Sequence, residues 1–380
     1  MISKATLMAA DNMSPKTFTA KACRKVIEGV PKVGYAFSNF TKCTTFGATL
    51  ESVMNYLGVK VDYEYILFTS EGAFHQTWKN GWFPGNSDIL TMCEDPFEPI
   101  HRGMSAVGYE YIIRMCTGVD MFGVKANARR STYVTGEPVD EVSATAEIVS
   151  SIDKGIPVLA IGVIDVPEWC IIAGYGDYGE TLLGWSYFQD NPEVRKDPNG
   201  YFMKSNWFKD TQGYVLIRGK KPVPPMRQLC IDTLRFAVRI ARTPVVNDNS
   251  SGLQAYVAWA NQLINDSFEG LDMPAIWERF TAYLDGLIMP SERQMASRIL
   301  RRVAKDEPDI ATDLEKAADL YQQEADHSGL WQQHVQQNNE GAQKFADPGV
   351  RRILADQLLK CRELGEQATE VIESLLARIK

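Results

Sequence analysis

Among the side chains able to act as nucleophiles, Cys43 has the surroundings that bear most directly on chemistry. It lies within FSNFTKCTTFGATLESVMNYLG (residues 37–58), where Phe46, Leu50, Val53, Met54 and Leu57 recur at helical spacing and mark one buried face. Thr41 is placed to cap the start of that helix and Gly58 to end it in the left-handed conformation. Cys43 then falls in the first turn, where unpaired backbone N–H groups and the helix dipole favour a thiolate, the reactive form of the residue. The opposing reading is packing, because free cysteines are among the most buried residues and act as small apolar groups.

The remaining composition narrows the chemistry. The seven cysteines, at 23, 43, 93, 116, 170, 230 and 361, form no CxxC pair, so neither a zinc site nor a disulfide framework is expected. Reduced thiols and no metal or cofactor are the expectation. Forty Lys and Arg against 48 Asp and Glu, a net charge of −8, argue against a nucleic-acid partner or a basic membrane-surface protein. The opening MISKATLMAADNMS lacks the apolar core of a signal peptide, and the most apolar run, at 156–164, is too short to span a bilayer. A soluble, cytoplasmic chain is expected.

The elements that must position Cys43 are α+β in arrangement. Ser14-Pro15 opens a helix ending near Gly29. Residues 59–101 are rich in aromatics, with Phe74, His75, Trp78, Trp82 and Phe83 close together in SEGAFHQTWKNGWFPGN; such rings either line a pocket or cover the core. Helices are expected over 105–116 and 140–153, the latter capped by Asp140 with Val142, Ala146, Val149 and Ile152 inward. Short β-type runs follow at 156–164, 169–176, 180–188, 201–208 and 213–219, separated by glycine-bearing turns, and predict an antiparallel meander. GKKPVPPM at 219–226 stops both helix and strand. Everything beyond it reads as helical, at 228–241, 252–264, 274–287, 291–303, 309–325 and 348–379. Two domains follow from this reading, 1–220 and an all-helical bundle at 224–380.

A cysteine opening a helix, followed much later by a strand block, resembles the papain-like cysteine peptidase fold. The resemblance is closest to the bacterial C39-like group and to the N-terminal domain of butirosin biosynthesis protein H. Its pieces are Cys43 to Gly58, GIPVLAIGV at 155–163 and PEWCIIAGYGDYGETLLGW at 167–185, so that it covers about residues 1–220. It implies cysteine-based acyl chemistry: peptide cleavage, or transfer of an acyl group from a carrier-protein thioester to an amine. In such sites a strand histidine deprotonates the cysteine and a carboxylate or amide orients that histidine.

The chain departs from the pattern at the histidine. Counting back from Gly174-Tyr175, the position usually held by histidine is Glu168, beside Trp169 and Cys170, and no histidine lies between His101 and His327. The orienting slot falls near Gly184-Trp185-Ser186, with Asp190 the nearest carboxylate. The oxyanion-hole glutamine is absent, Ser38 and Asn39 being the nearest polar substitutes. Three accounts stand: Glu168 in an apolar pocket beside Trp169 and Trp185 serves as acid or base; His75 or His101 reaches Cys43 from the aromatic loop; or the site has lost its chemistry and kept its pocket. An ionised Glu168 would oppose a neighbouring thiolate by like-charge repulsion.

Other patterns carry less. His327 and His334 are two helical turns apart near Glu324, a conceivable metal pair but more simply a solvated face. Arg298 to Arg302 and Arg351-Arg352 read as solvated faces able to meet an acidic carrier protein. GYGDYG at 174–179 matches a dinucleotide fingerprint only in letters, because it lies between strands. The functional expectations are therefore an enzyme forming a thioester on Cys43, a non-catalytic module holding a small molecule, peptide or acyl-carrier partner in the same cleft, or an interaction scaffold built on the helices. The long last helix offers a homodimer surface.

Overall fold

The computed structural model describes residues 22–36, 40–79, 89–116, 137–164 and 168–379. Among them the chain is mixed α and β, with a mostly antiparallel sheet and a helical C-terminal region. In chain order the first part contributes β1 (Lys25–Val26), α1 (Thr45–Tyr56), α2 (Tyr63–Thr69), β2 (Thr77–Trp78), α3 (Glu98–Ala106), β3 (Tyr109–Cys116), β4 (Glu137–Val139), α4 (Glu141–Asp153), β5 (Val158–Ile161), β6 (Trp169–Gly176), β7 (Thr181–Trp185), β8 (Phe202–Ser205) and β9 (Gly213–Lys220). The sheet order is β4-β3-β9-β5-β6-β7-β8, with β1 added alongside β6. Every neighbour is antiparallel except β3 with β4. All residues of β5 and β6 are buried, as the continuous apolar runs VLAI and WCIIAGYG require of central strands.

Three expectations are corrected here. The span 105–116 is not one helix: α3 ends at Ala106, Gly108 turns the chain at φ 75°, and the aromatic and β-branched YEYIIRMC pairs with β9 instead. Lys25–Val26 is extended rather than the end of a helix running to Gly29, because it pairs with Gly174 and Tyr175; the Ser14-Pro15 start lies outside the described residues. In α4 the Asp140 cap holds, its carboxylate accepting from the Ser143 N–H at 2.8 Å, but Ala144, Ile148, Val149 and Ile152 face inward while Val142 is 80% exposed.

The C-terminal region comprises α5 (Met226–Arg242), the hairpin β10 (Val245–Val246) and β11 (Asn249–Ser251), α6 (Gly252–Asn265), α7 (Met273–Asp285), α8 (Ile288–Ser291), α9 (Arg293–Asp306), α10 (Ala311–Gly329), α11 (Trp331–His334), α12 (Asn339–Phe345) and α13 (Pro348–Arg378). The hairpin departs from the all-helical expectation, and β11 pairs with β2 of the first part. One apolar core contains Phe46 and Ile171 together with Leu234, Ile299, Leu300 and Ile372, so it runs across the proline-rich connector. A second gathers Trp78, Trp259, Tyr283, Trp331 and Phe345.

Of the arginines expected on solvated faces, Arg298, Arg302 and Arg352 are exposed and Arg351 is buried. Arg298 and Arg302 of α9 pair with Glu64 at 2.6 Å and Asp62 at 2.8 Å. Arg351 is 3% exposed and donates to the carbonyls of Leu263 at 2.9 Å, Ala346 at 2.6 Å and Asp266 at 2.8 Å, which satisfies the orphan carbonyls ending α6 and α12. No helix among the described residues is long and apolar enough to cross a membrane.

Candidate functional site at the mouth of the Cys43 helix

The helix carrying the candidate nucleophile begins later than expected. Thr44, not Thr41, occupies the cap position of α1, so Cys43 lies one residue outside the helix. The Thr44 side chain does not cap its own helix. Its hydroxyl donates instead to the Glu292 carboxylate at 2.7 Å, and its N–H donates to the other oxygen of Glu292 at 3.1 Å. The Tyr63 hydroxyl donates to Glu292 and accepts from the N–H groups of Thr44 at 2.9 Å and Cys43 at 3.2 Å. Glu292 joins α8 to α9, so a carboxylate from the helical C-terminal region closes the N-terminus of α1. A buried anion there is well placed for the helix dipole.

A second carboxylate arrives from the sheet. Glu168, immediately before β6, accepts from the Thr45 hydroxyl, which accepts in turn from the Trp169 N–H at 3.2 Å. The Trp169 ring packs edge-on against Phe46 with centroids 5.2 Å apart, and this contact locks α1 onto β6. Among the described residues Glu168 therefore hydrogen-bonds Thr45, two positions past Cys43, and not the thiol. Asp285, at the end of α7, makes no hydrogen bond or ion pair with any described residue. Tyr35 and Tyr187 stand edge to face at 5.1 Å beside the group.

These groups sense one another through a poorly solvated interior. Burial raises Glu168 and Glu292 to about 7 and Asp285 to about 6. The Cys43 thiol, 3% exposed, is pushed up by burial first and by the Glu292 charge second. Tyr187 is raised by burial and by the charges of Asp285, Glu168 and Cys43. The helix dipole that favours a thiolate in the sequence reading is here spent on Glu292.

The remaining sequence-derived candidates are dispersed. His75 is buried, hydrogen-bonded to Thr77 at 2.8 Å and lowered to about 3 by burial and by Arg293. His101 bonds the Tyr111 hydroxyl at 2.5 Å. Neither hydrogen-bonds Cys43. Phe74 packs between Phe68 and Tyr321, and Trp78 stacks on Trp259 at 4.5 Å. Trp185 donates to the Val30 carbonyl at 3.0 Å and lies against Tyr201. Ser38, Asn39 and Trp82 lie outside the described residues. His327 bonds Gln357 at 3.1 Å, and no group of metal-ligand type is found among the described residues.

Glu292, Tyr63 and Asp285 complete the site and were not singled out from the sequence. Tyr63 and Asp285 look like ordinary helix residues, and Glu292 is 248 positions from its partner Thr44. No protein-family model matches the chain, and no curated protein matches it in sequence.

Proposed function

We propose that this chain is a catalytically altered papain-like module that binds a small molecule, a peptide or a carrier-bound acyl group near Cys43 without turning it over. The packing of α1 on β6 of an antiparallel sheet supports the papain-like reading. One observation carries the functional part: the N–H groups of Cys43 and Thr44, which would stabilise an oxyanion, already donate to Tyr63 and Glu292. A second reading, acyl transfer through a thioester on Cys43, draws on Glu168, whose raised value near 7 suits an acid or base at neutral pH.

Alkylation with limiting iodoacetamide between about pH 5 and 9, read by peptide mass spectrometry, separates the two. The binding reading expects exposed Cys23 to react first and Cys43 no faster than the other buried cysteines. It also expects ligand-dependent stabilisation to survive Cys43→Ala. If Cys43 alkylates first, with an apparent pKa below about 8.5, the enzyme reading takes its place.

A further inference from the structure

Behind β2, remote from any hydrogen bond to Cys43, lies a small cavity in which buried polar groups have no partner. About 30 Å³ of it is open to the centres of water molecules, room for about two waters. Gln76 lines it, is 1% exposed, and has neither its side-chain nitrogen nor its oxygen hydrogen-bonded. Glu324 of α10, also 1% exposed, uses only one oxygen: Oε1 accepts from the Tyr256 hydroxyl at 2.5 Å and pairs with Arg293 Nε at 3.1 Å, while Oε2 has no hydrogen-bond partner. Arg293 Nη1 donates to the carbonyls of Ala73 at 2.6 Å and His75 at 3.1 Å. Room beside Glu324 exists because α13 carries a glycine there. A Cβ on Gly365 would stand 3.2 Å from Glu324 Oε2 and 3.2 Å from Leu253.

A buried amide and a buried carboxylate oxygen are costly to leave without hydrogen-bond partners, so an occupant is called for. Its chemistry is set first by the wholly unpaired Gln76 amide, which offers two N–H donors and an acceptor oxygen, and by the open acceptor Glu324 Oε2. Arg293 already balances the charge of Glu324, and burying a second ion would carry an uncompensated desolvation penalty, so the occupant is neutral. The walls between these groups are apolar, formed by Ile240 and Leu253 among others. We propose that this cavity is a binding site for a primary carboxamide group. The ligand's C=O accepts from Gln76, one N–H returns to Gln76 Oε1 in a reciprocal amide pair, and the other N–H donates to Glu324 Oε2. The inference is independent of the chemistry at Cys43.

Acetamide is the probe, with N,N-dimethylacetamide, which has no N–H, as control. On the full chain, acetamide at about ten times its dissociation constant is expected to raise Tm by about 1–2 °C over the control and to give saturation-transfer NMR signals. Gly365→Ala, which fills the space, and Gln76→Met, which removes the pairing amide, are each expected to abolish the difference. Should Gln76→Met fail to fold, Gly365→Ala decides alone. Equal responses to the two amides in the unsubstituted chain, or an acetamide response that persists in Gly365→Ala, would show that the cavity holds only water and overturn the proposal.

Discussion

Glu292 is the residue on which the Cys43 site turns, because one carboxylate serves both as helix cap and as a charge beside a thiol. Its folded value of about 7 stands above the ordinary 4.5 through burial, which sets the direction of its pH dependence. Below about pH 4.5 the group is protonated in folded and unfolded chains alike. Between about 4.5 and 7 only the folded chain holds the proton, so stability falls as pH rises through that window and levels off above it. The expected loss is on the order of 3 kcal/mol, and Glu168 and Asp285 act in the same direction. Glu292→Gln, which can still accept from Thr44, is expected to flatten the slope, measured as urea midpoints from about pH 5 to 8. It is also expected to lower the Cys43 alkylation pKa, though not to the ordinary thiol range, because burial is the larger cause. An unchanged slope would remove Glu292 from this role. Cys43 at a helix mouth was legible in the sequence from helical periodicity. The carboxylate that neutralises the effect was not, since nothing local distinguishes a glutamate that reaches across 248 positions from one that faces water.

At the scale of elements, the hairpin of β10 and β11 does more than join two helices. Asn247 and Asp248 take φ of 49° and 67°, the doubly left-handed pair of a type I′ turn, and β11 then pairs Ser250 with Trp78 and Ser251 with Thr77. Gly252 follows at φ +53°, donating to the Gln76 carbonyl at 2.9 Å, and a Cβ there would meet the Ile240 carbonyl oxygen at 2.1 Å. Gly252→Ala is therefore expected to destabilise by more than about 3 kcal/mol, since backbone must move. Gly155→Ala, at φ +75° with nothing within 4 Å, meets only the left-handed penalty of about 1–2 kcal/mol. Urea unfolding of the two variants checks the contrast; equal losses would mean that the close approach at Gly252 relaxes freely. The turn letters Val-Val-Asn-Asp-Asn-Ser held this hairpin in plain view, but strands of two and three residues are too short for a periodicity to register. At β3 the ambiguity runs the other way, because Ile112, Ile113 and Met115 satisfy a helical stripe as readily as a strand. The long helices α5, α9, α10 and α13 were legible to within a few residues because each has an apolar face several turns long.

Over the whole molecule, the connector at 219–226 ends the strand block as its prolines require, yet side chains continue across it. Arg293 is the clearest example. From α9 it holds the carbonyls of Ala73 and His75 in the first part and pairs with Glu324 in the second, all of it buried. Local composition marks where a chain changes secondary structure but carries no information about which apolar faces later meet, so this continuity was not readable from the proline-rich run. A shared core that includes Phe46, Ile171, Leu300 and Ile372 has to come apart together. Urea unfolding followed by tryptophan fluorescence, which samples Trp169 and Trp207 of the first part as well as Trp259 and Trp331 of the second, and by far-ultraviolet dichroism is expected to give one midpoint. Arg293→Met strands Glu324 as a buried charge and leaves two carbonyls without a donor, so it is expected to lower stability by about 3–5 kcal/mol. The double variant Arg293→Met with Glu324→Leu removes both charges and is expected to recover part of that loss. Both probes should move together in each variant. If the fluorescence and dichroism midpoints separate, or if Arg293→Met shifts only one of them, the two regions unfold independently and Arg293 is a local contact instead of the tie between them.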